Sequence, residues 1–178
     1  MGIAVIYGSA RKNGNSDQLA NLLVEEFEAD KIHLSDYKIE SIRDYRHSEK
    51  GPYPDDDYHQ VIERVLAQDV LVFTTPIYWY GVSGLTKTFI DRWSQSLREN
   101  REEFLAKSAT KTAWVIGIGA DEPQIKGLPL VQQFQYIFDF TGTKFAGYVL
   151  GKGNEPGDIL QDAAALAAVK EIRSKWRS

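Results

Sequence analysis

Residues 3–16 read Ile-Ala-Val-Ile-Tyr-Gly-Ser-Ala-Arg-Lys-Asn-Gly-Asn-Ser, and this stretch decides how the chain folds. Its first five residues are apolar and predict a β-strand. Beyond it, leucine and phenylalanine residues between positions 19 and 27 recur at helical spacing. The polar, glycine-containing residues 8–16 therefore form a turn that connects a strand to the N-terminus of a helix.

The turn at residues 8–16 has the chemistry of a phosphate-binding loop. Free backbone N–H groups and the partial positive charge of a helix N-terminus favour an anion. The side chains expected to add donors or positive charge are those of Ser9, Arg11, Asn13, Asn15 and Ser16. The spacing fits neither a Walker loop nor a dinucleotide fingerprint, so the predicted ligand is a mononucleotide-type phosphate. A purely structural turn is the alternative, because Gly, Asn and Ser are common in turns.

Composition narrows the remaining classes of function. The chain has 178 residues, 43% of them apolar, which predicts one globular domain over residues 1–178. The formal net charge of -4 argues against a nucleic-acid partner held by counterion release. Without cysteine, the chain has no disulfide, thiolate nucleophile or thiolate metal ligand. No signal peptide or membrane-spanning run is recognisable, so we expect a cytoplasmic protein without a membrane partner.

One acidic run, Asp55-Asp56-Asp57, offers carboxylates of the kind that bind metal ions. No clustered His or Glu accompanies it, so no metal ligand is predicted anywhere in the chain. We expect the run to favour the start of the helix that follows it, through the helix dipole.

Strand and helix patterns alternate along the chain. Apolar runs predict further strands at 31–34, 69–74, 112–117 and 145–150, with helices between them and a closing helix at 158–176. This alternation indicates an α/β fold, a doubly wound five-stranded parallel sheet in three α/β/α layers. We expect the flavodoxin-like strand order 2-1-3-4-5, in which a ligand crevice opens between strands one and three. The long connection at residues 35–56 has no assigned role.

The loop after the third strand forms the second half of the predicted crevice. Large aromatic side chains in a loop are typical of a binding surface, and a flat heterocycle would stack on them. The residues expected to position such a ring are Pro76, Ile77, Tyr78, Trp79, Tyr80 and Gly81. The loop after the fourth strand reaches the same sheet edge, and it offers Gly117, Gly119 and Ala120 to the polar rim of the ring. Alternatively, the aromatic rings pack against a neighbouring subunit or under the 35–56 connection.

A phosphate site and a flat-ring site at one sheet edge together describe FMN. The chain resembles the NAD(P)H-dependent FMN reductase family of flavodoxin-like oxidoreductases in two motifs: Gly8-Ser9-x-Arg11-x-x-Gly14-Asn15-Ser16 and Thr75-Pro76-Ile77-Tyr78-Trp79-Tyr80-Gly81-x-Ser83-Gly84. The resemblance implies non-covalently bound FMN and a homodimer or homotetramer. Some relatives, the iron–sulfur flavoproteins, carry a cysteine cluster in the connection before the second helix. Residues 42–49 contain no cysteine, so that cluster and its electron-transfer role are absent.

The same resemblance implies an enzyme. Electrons would pass from NADH or NADPH through FMN to a small acceptor such as a quinone, a nitroaromatic, an azo compound or a flavin. Because the flavin carries the redox chemistry, no catalytic acid or base of the protein is assigned. Two alternatives stay open here: a flavodoxin-type electron carrier that does not oxidise NAD(P)H itself, and a mononucleotide-binding protein without a redox role.

Overall fold

The sheet has the predicted topology in a computed structural model that describes residues 1–45, 47 and 51–177. Within those residues, five parallel strands lie side by side in the order β2-β1-β3-β4-β5. Their bounds are Ile3–Tyr7 (β1), Asp30–His33 (β2), Val70–Pro76 (β3), Thr112–Gly119 (β4) and Lys144–Lys152 (β5). The α/β class and the strand order predicted from the sequence are therefore confirmed.

Three strands continue further toward the crevice than the apolar runs predicted. Pairing of Pro76 with Ile118 extends β3, and pairing of Gly119 with Lys152 extends β4 and β5. Apolar periodicity missed these ends because proline, glycine and lysine occupy them. As a result, Gly117 and Gly119 belong to strand β4 rather than to the loop after it.

Helices connect the strands and cover both faces of the sheet. Their bounds are Asn15–Leu23 (α1), Tyr58–Leu66 (α2), Gly84–Asp91 (α3), Trp93–Ala109 (α4), Pro123–Lys126 (α5), Leu128–Thr141 (α6) and Ala163–Trp176 (α7). Short 3₁₀ turns occupy Leu34–Asp36 and Asp158–Gln161. No helix in the described part of the chain is both long enough and apolar enough to cross a membrane.

Two apolar cores lie on opposite faces of the sheet, because successive strand residues alternate between the faces. Ile6 and Phe73 point to the face that α2, α3, α4 and α6 cover. Val5 and Val72 point to the face that α1 and α7 cover. Strands β1 and β3 are buried on both faces, as their near-continuous apolar sequences predicted.

Polar side chains form hydrogen bonds at a break in helix α4 and at the start of the closing helix, which was predicted to begin at residue 158. Helix α4 begins at Trp93 and is interrupted at Asn100, whose Oδ1 accepts the Glu103 N–H at 3.2 Å. The closing helix begins at residue 163, because the carboxylate of Asp162 accepts the Ala165 N–H at 3.0 Å.

A buried ion pair fastens the connection between β2 and α2. The Arg92 side chain is 0% exposed and donates two hydrogen bonds, of 2.5 and 3.2 Å, to the 1%-exposed carboxylate of Asp56. Arg92 also donates to the Glu40 carbonyl at 3.0 Å and lies over the Tyr58 ring. The expectation that the acidic run serves only the helix start is therefore incomplete, since one of its carboxylates neutralises a buried guanidinium.

Candidate functional site

A crevice opens where β1, β3, β4 and β5 end. Its main cavity has a volume of about 270 Å³. The residues that line it are Ser9, Arg11, Gly14, Asn15, Ser16, Pro76, Ile77, Tyr78, Ile118, Gly119, Ala120, Gly153 and Asn154. A second depression of about 240 Å³ shares Ile77, Gly119 and Ala120 with it and reaches Trp79 and Tyr80. The two predicted turns thus meet at one continuous crevice.

The turn after β1 folds tightly before helix α1 begins. The Ser9 hydroxyl accepts the Arg11 N–H at 3.1 Å, which draws the chain into a compact loop. Gly14 is the N-cap of α1 and has no side chain with which to cap it. The N–H groups of the first helical turn have no intrahelical partners, so they remain available to an anion. Arg11 is solvent-exposed at this end of the cavity.

Asn15 lies at the cavity, but its side chain is engaged elsewhere. Its Nδ2 donates to the Glu155 carbonyl at 2.9 Å, and its Oδ1 accepts the Gly157 N–H at 2.9 Å. These bonds hold the loop after β5 against the start of α1. The Asn15 amide group therefore positions a neighbouring loop, and its backbone N–H is the group left for a phosphate.

Asn13 lies outside the cavity lining. Its backbone has φ = 60°, in the left-handed region that few non-glycine residues adopt. Its N–H donates to Asp17 Oδ2 at 3.0 Å, and its carbonyl accepts from Gln18 Nε2 at 2.9 Å. These contacts shape the loop. Asn13 therefore differs from the other four predicted phosphate ligands, which all line the cavity.

The turn after β3 displays its aromatic side chains outward. Tyr78 and Gly81 exchange backbone hydrogen bonds of 3.1 and 3.0 Å around Trp79 and Tyr80. Both central residues have positive φ, 50° and 65°, which is the pattern of a type I′ hairpin turn. Trp79 is 96% exposed as a result. Backbone strain of this kind is concentrated at functional sites.

The structure divides the predicted ring-binding residues into three groups. Pro76, Ile77 and Tyr78 line the main cavity together with Gly119 and Ala120. Trp79 and Tyr80 line the adjoining depression. Gly81 and Gly117 line neither. Gly117 is buried in the sheet, where an added Cβ would lie 2.9 Å from the Leu150 side chain.

Two links between loops were not predicted from the sequence. Ser83 caps α3 and donates its hydroxyl to the Gly8 carbonyl at 2.6 Å, which joins the turn after β1 to the turn after β3. Tyr80 donates to Asp121 Oδ2 at 3.1 Å, and Asp121 also pairs with Lys126. A serine directly before a helix is an N-cap signal, so the capping role of Ser83 was detectable. Its contact with Gly8, 75 residues away, was not.

The loop after β5 also contributes to the cavity. Gly153 and Asn154 lie beside the first turn of α1, and an added Cβ on Gly153 would lie 2.7 Å from Asn15 Nδ2. The apolar run predicts that β5 ends at residue 150, so Gly153 and Asn154 are not among the predicted site residues. The longer strand carries the chain two residues further, to the crevice itself.

The chemistry of the crevice fits FMN. One end combines a helix N-terminus, a serine hydroxyl and a guanidinium, the groups that bind a phosphate monoester. The other end has the apolar side chain of Ile77, glycine backbone at Gly119 and exposed aromatic rings, which suit the faces and edges of a flat heterocycle. Both ends belong to a single crevice, as a ligand with a phosphate and a ring would require.

The sequence matches known proteins over most of its length. Residues 1–137 match the family described as NADPH-dependent FMN reductase. YwqN of Bacillus subtilis (strain 168), provisionally named an NAD(P)H-dependent FMN-containing oxidoreductase, is 52% identical over 97% of this chain and 96% of its own.

Two solved structures illustrate the likeness of fold. The Trp repressor binding protein from Bacillus subtilis superposes with a TM-score of 0.81 at 47% identity, over 96% of each chain. An FMN-dependent NADH-azoreductase from Bacillus anthracis str. Ames Ancestor, solved in complex with FMN, gives a TM-score of 0.67 at 14% identity over the full length of both chains. At this lower identity the likeness concerns the fold alone.

Proposed function

The chain belongs to the NADPH-dependent FMN reductase family, and from this premise we propose that it passes electrons from NADH or NADPH through FMN to a small planar acceptor. It is an NAD(P)H-dependent oxidoreductase, and its cofactor is FMN. The proposed acceptor is a quinone, a nitroaromatic, an azo compound or a flavin. The observation that carries the proposal is the continuous crevice between the turn after β1 and the turn after β3.

In this proposal the turn after β1 binds the phosphate of FMN. Ser9 and Ser16 supply hydroxyl groups, Arg11 supplies a positive charge, and the N–H groups at the start of α1 supply further donors. Asn15 would contribute its backbone N–H, because its side chain already donates a hydrogen bond to the Glu155 carbonyl. Asn13 contributes by shaping the loop through its left-handed backbone.

The turn after β3 and the end of strand β4 form the proposed ring site. The residues that would contact the ring are 76–80, 119 and 120, because Gly81 and Gly117 line neither cavity. FMN held there would supply the redox chemistry, namely hydride acceptance from the nicotinamide and electron transfer to the acceptor. The protein would orient the ring, because its glycine backbone and side chains determine where the ring and its reaction partners meet. Exposed Trp79 offers a planar face to such a partner at the mouth of the crevice.

The proposal also includes the assembly of the protein. We expect residues 1–178 to act as one FMN-binding domain in a homodimer or homotetramer. Tyr136 and Phe140 support an interface, because they are 64% and 59% exposed one helical turn apart on α6. Sedimentation equilibrium of the purified protein would report a monomer if this part is wrong.

Anaerobic reduction followed by turnover tests the proposed function. The purified protein is saturated with FMN, mixed with NADH or NADPH, and its visible flavin absorption is recorded before a quinone is added. We expect bleaching by the nicotinamide, recovery on adding the quinone, and sustained NAD(P)H oxidation with excess quinone. A flavin spectrum that neither NADH nor NADPH bleaches would contradict an oxidoreductase and favour an electron carrier.

A further inference from the structure

A buried carboxylate lies directly behind the turn after β1. Asp17 is in the first turn of α1, and its side chain is 1% exposed. Its Oδ2 accepts the Asn13 N–H at 3.0 Å, and its Oδ1 lies 3.4 Å from the Ser16 hydroxyl. Burying a carboxylate is unfavourable unless hydrogen bonds compensate for the lost water. A carboxylate at this place therefore needs a role that outweighs that cost.

The position of Asp17 is also unfavourable for an anion site. A phosphate bound at the start of α1 and an ionised Asp17 would repel each other. Burial raises the pKa of Asp17, whereas His33 and the Asn13 N–H lower it and offset only part of the rise. His33 Nδ1 lies 3.9 Å from Asp17 Oδ2, and the His33 ring stacks on Tyr7 at 4.1 Å. The carboxylate thus lies between strand β2 and the loop.

The contact with Asn13 explains why the carboxylate is there. Asn13 has φ = 60°, a left-handed conformation that is uncommon outside glycine, although asparagine adopts it more readily than most residues. Its N–H bonds to Asp17, and this bond fixes the residue that precedes the Gly14 N-cap. The direction in which the first N–H groups of α1 point depends on that residue. The Asn13 side chain lies outside the cavity, so its contribution passes through the backbone.

We propose that Asp17 is a positioning residue that holds the turn after β1 in its phosphate-binding shape through the Asn13 N–H, and thereby selects FMN over riboflavin. This inference rests on the proposed phosphate site. It extends that site to a residue that would not touch the ligand. A residue that positions the phosphate-binding turn can be told apart from a residue that only stabilises the fold. Loss of the former weakens the binding of FMN but not the binding of riboflavin, which has no phosphate.

Flavin titrations of the apoprotein test this inference. FMN and riboflavin are titrated into the wild type, Asp17→Ala and Asp17→Asn, with Asp139→Asn as control because Asp139 is an exposed aspartate of helix α6 that lies outside the crevice lining. For Asp17→Ala we expect FMN affinity to fall about tenfold and riboflavin affinity to change less than about twofold, as loss of one charge-assisted bond predicts. Asp17→Asn retains an acceptor oxygen, so its FMN affinity should recover to within about threefold of wild type.

A double-mutant cycle identifies Asn13 as the intermediary. Glycine adopts positive φ freely, so Asn13→Gly should make the loop less dependent on Asp17. In that background, Asp17→Ala should lower FMN affinity by less than about threefold. A tenfold loss in both backgrounds would overturn the proposed route through Asn13.

Two results separate this inference from the proposed function. If wild type binds FMN but Asp17→Ala loses FMN and riboflavin affinity equally, the positioning role is wrong and the function stands. If wild type does not take up FMN at all, the proposed function itself is wrong and the inference with it. Hydrogen exchange of the wild-type apoprotein tests the inference without requiring that any variant folds. We expect a protected Asn13 N–H, and free exchange of that amide would overturn the inference.

Discussion

The Ser83 hydroxyl donates a 2.6 Å hydrogen bond to the carbonyl of Gly8, although 75 residues separate them in the chain. Gly8 directly follows strand β1 and opens the proposed phosphate loop, and Ser83 is the N-cap of helix α3, which follows the proposed ring loop. This side chain therefore links the two halves of the crevice directly. The same oxygen accepts the Thr86 N–H at 3.2 Å and caps α3.

Ser83→Ala should weaken both the fold and cofactor binding. The substitution removes an N-cap and leaves the buried Gly8 carbonyl without that donor, so we expect a loss of about 2 kcal/mol in unfolding free energy. FMN affinity should fall several-fold as the loops separate. Urea unfolding and FMN titration measure the two effects, with Ser94→Ala, an exposed serine of α4, as control. Unchanged stability in Ser83→Ala would show that the link between the loops is dispensable.

Gly8→Ala should destabilise the protein because no space exists for a methyl group. An added Cβ would lie 1.9 Å from Thr86 Oγ1 and 3.1 Å from Ser83 Oγ. Overpacking of this kind costs roughly 1–3 kcal/mol, which thermal unfolding would report. The matched control is Gly84→Ala, since a Cβ on Gly84 meets nothing within 4 Å. If Gly8→Ala and Gly84→Ala are equally stable, the described packing between β1 and α3 is wrong.

Arg11→Ala should lower FMN affinity by about tenfold or more, since a charge-assisted contact contributes roughly 1.5–3 kcal/mol. Riboflavin, which lacks the phosphate, should bind equally well to wild type and variant. Lys12→Ala is the control, because Lys12 is the adjacent cation and pairs with Asp36 at 2.8 Å. Equal losses of FMN affinity in Arg11→Ala and Lys12→Ala would indicate a general effect of charge rather than a contact by Arg11.

Asp56→Asn should destabilise the fold by about 3–5 kcal/mol, because it leaves the buried Arg92 guanidinium without a counter-charge. Asp55→Asn, at the exposed neighbouring position, should stay within about 0.5 kcal/mol of wild type. Urea unfolding of the two variants at neutral pH makes the comparison. Similar midpoints for both would mean that the ion pair contributes little.

The Asp56–Arg92 pair also predicts a pH dependence. Burial alone would raise the pKa of Asp56, but hydrogen bonds from Arg92 and from two backbone N–H groups hold the pKa below its ordinary value of 3.8. The unfolded state therefore binds a proton at higher pH than the folded state. The stabilisation is complete above 3.8 and is lost as pH falls through the lower folded value. Unfolding midpoints should fall more steeply below that pH in wild type than in Asp56→Asn.

Local patterns in the sequence predicted the sheet well. The apolar run at Ile3–Tyr7 and its counterparts identified five strands, the alternation with helices indicated a parallel sheet, and the expected flavodoxin-like strand order is confirmed. Strand ends were less predictable, since Pro76, Gly119 and Lys152 give no apolar signal but still pair in the sheet. The crevice residues contributed by the β5 end were missed for that reason.

The candidate site depended more on tertiary contacts than on sequence pattern. Ser9, Arg11 and Ile77 were found because turn composition is a local property. The engagement of Asn15 by Glu155 could not be predicted, because 140 residues separate them. The roles of Ser83 and Asp17 likewise depend on which backbone groups the fold brings within hydrogen-bonding distance.

The crystal structure of the protein soaked with FMN tests the central claim most directly. We predict one FMN, with its phosphate bonded to N–H groups at the start of α1 and to Arg11, and its ring between residues 76–80 on one side and residues 119 and 120 on the other. Density for FMN at any other surface, or a phosphate bound away from residues 9–16, would contradict the account.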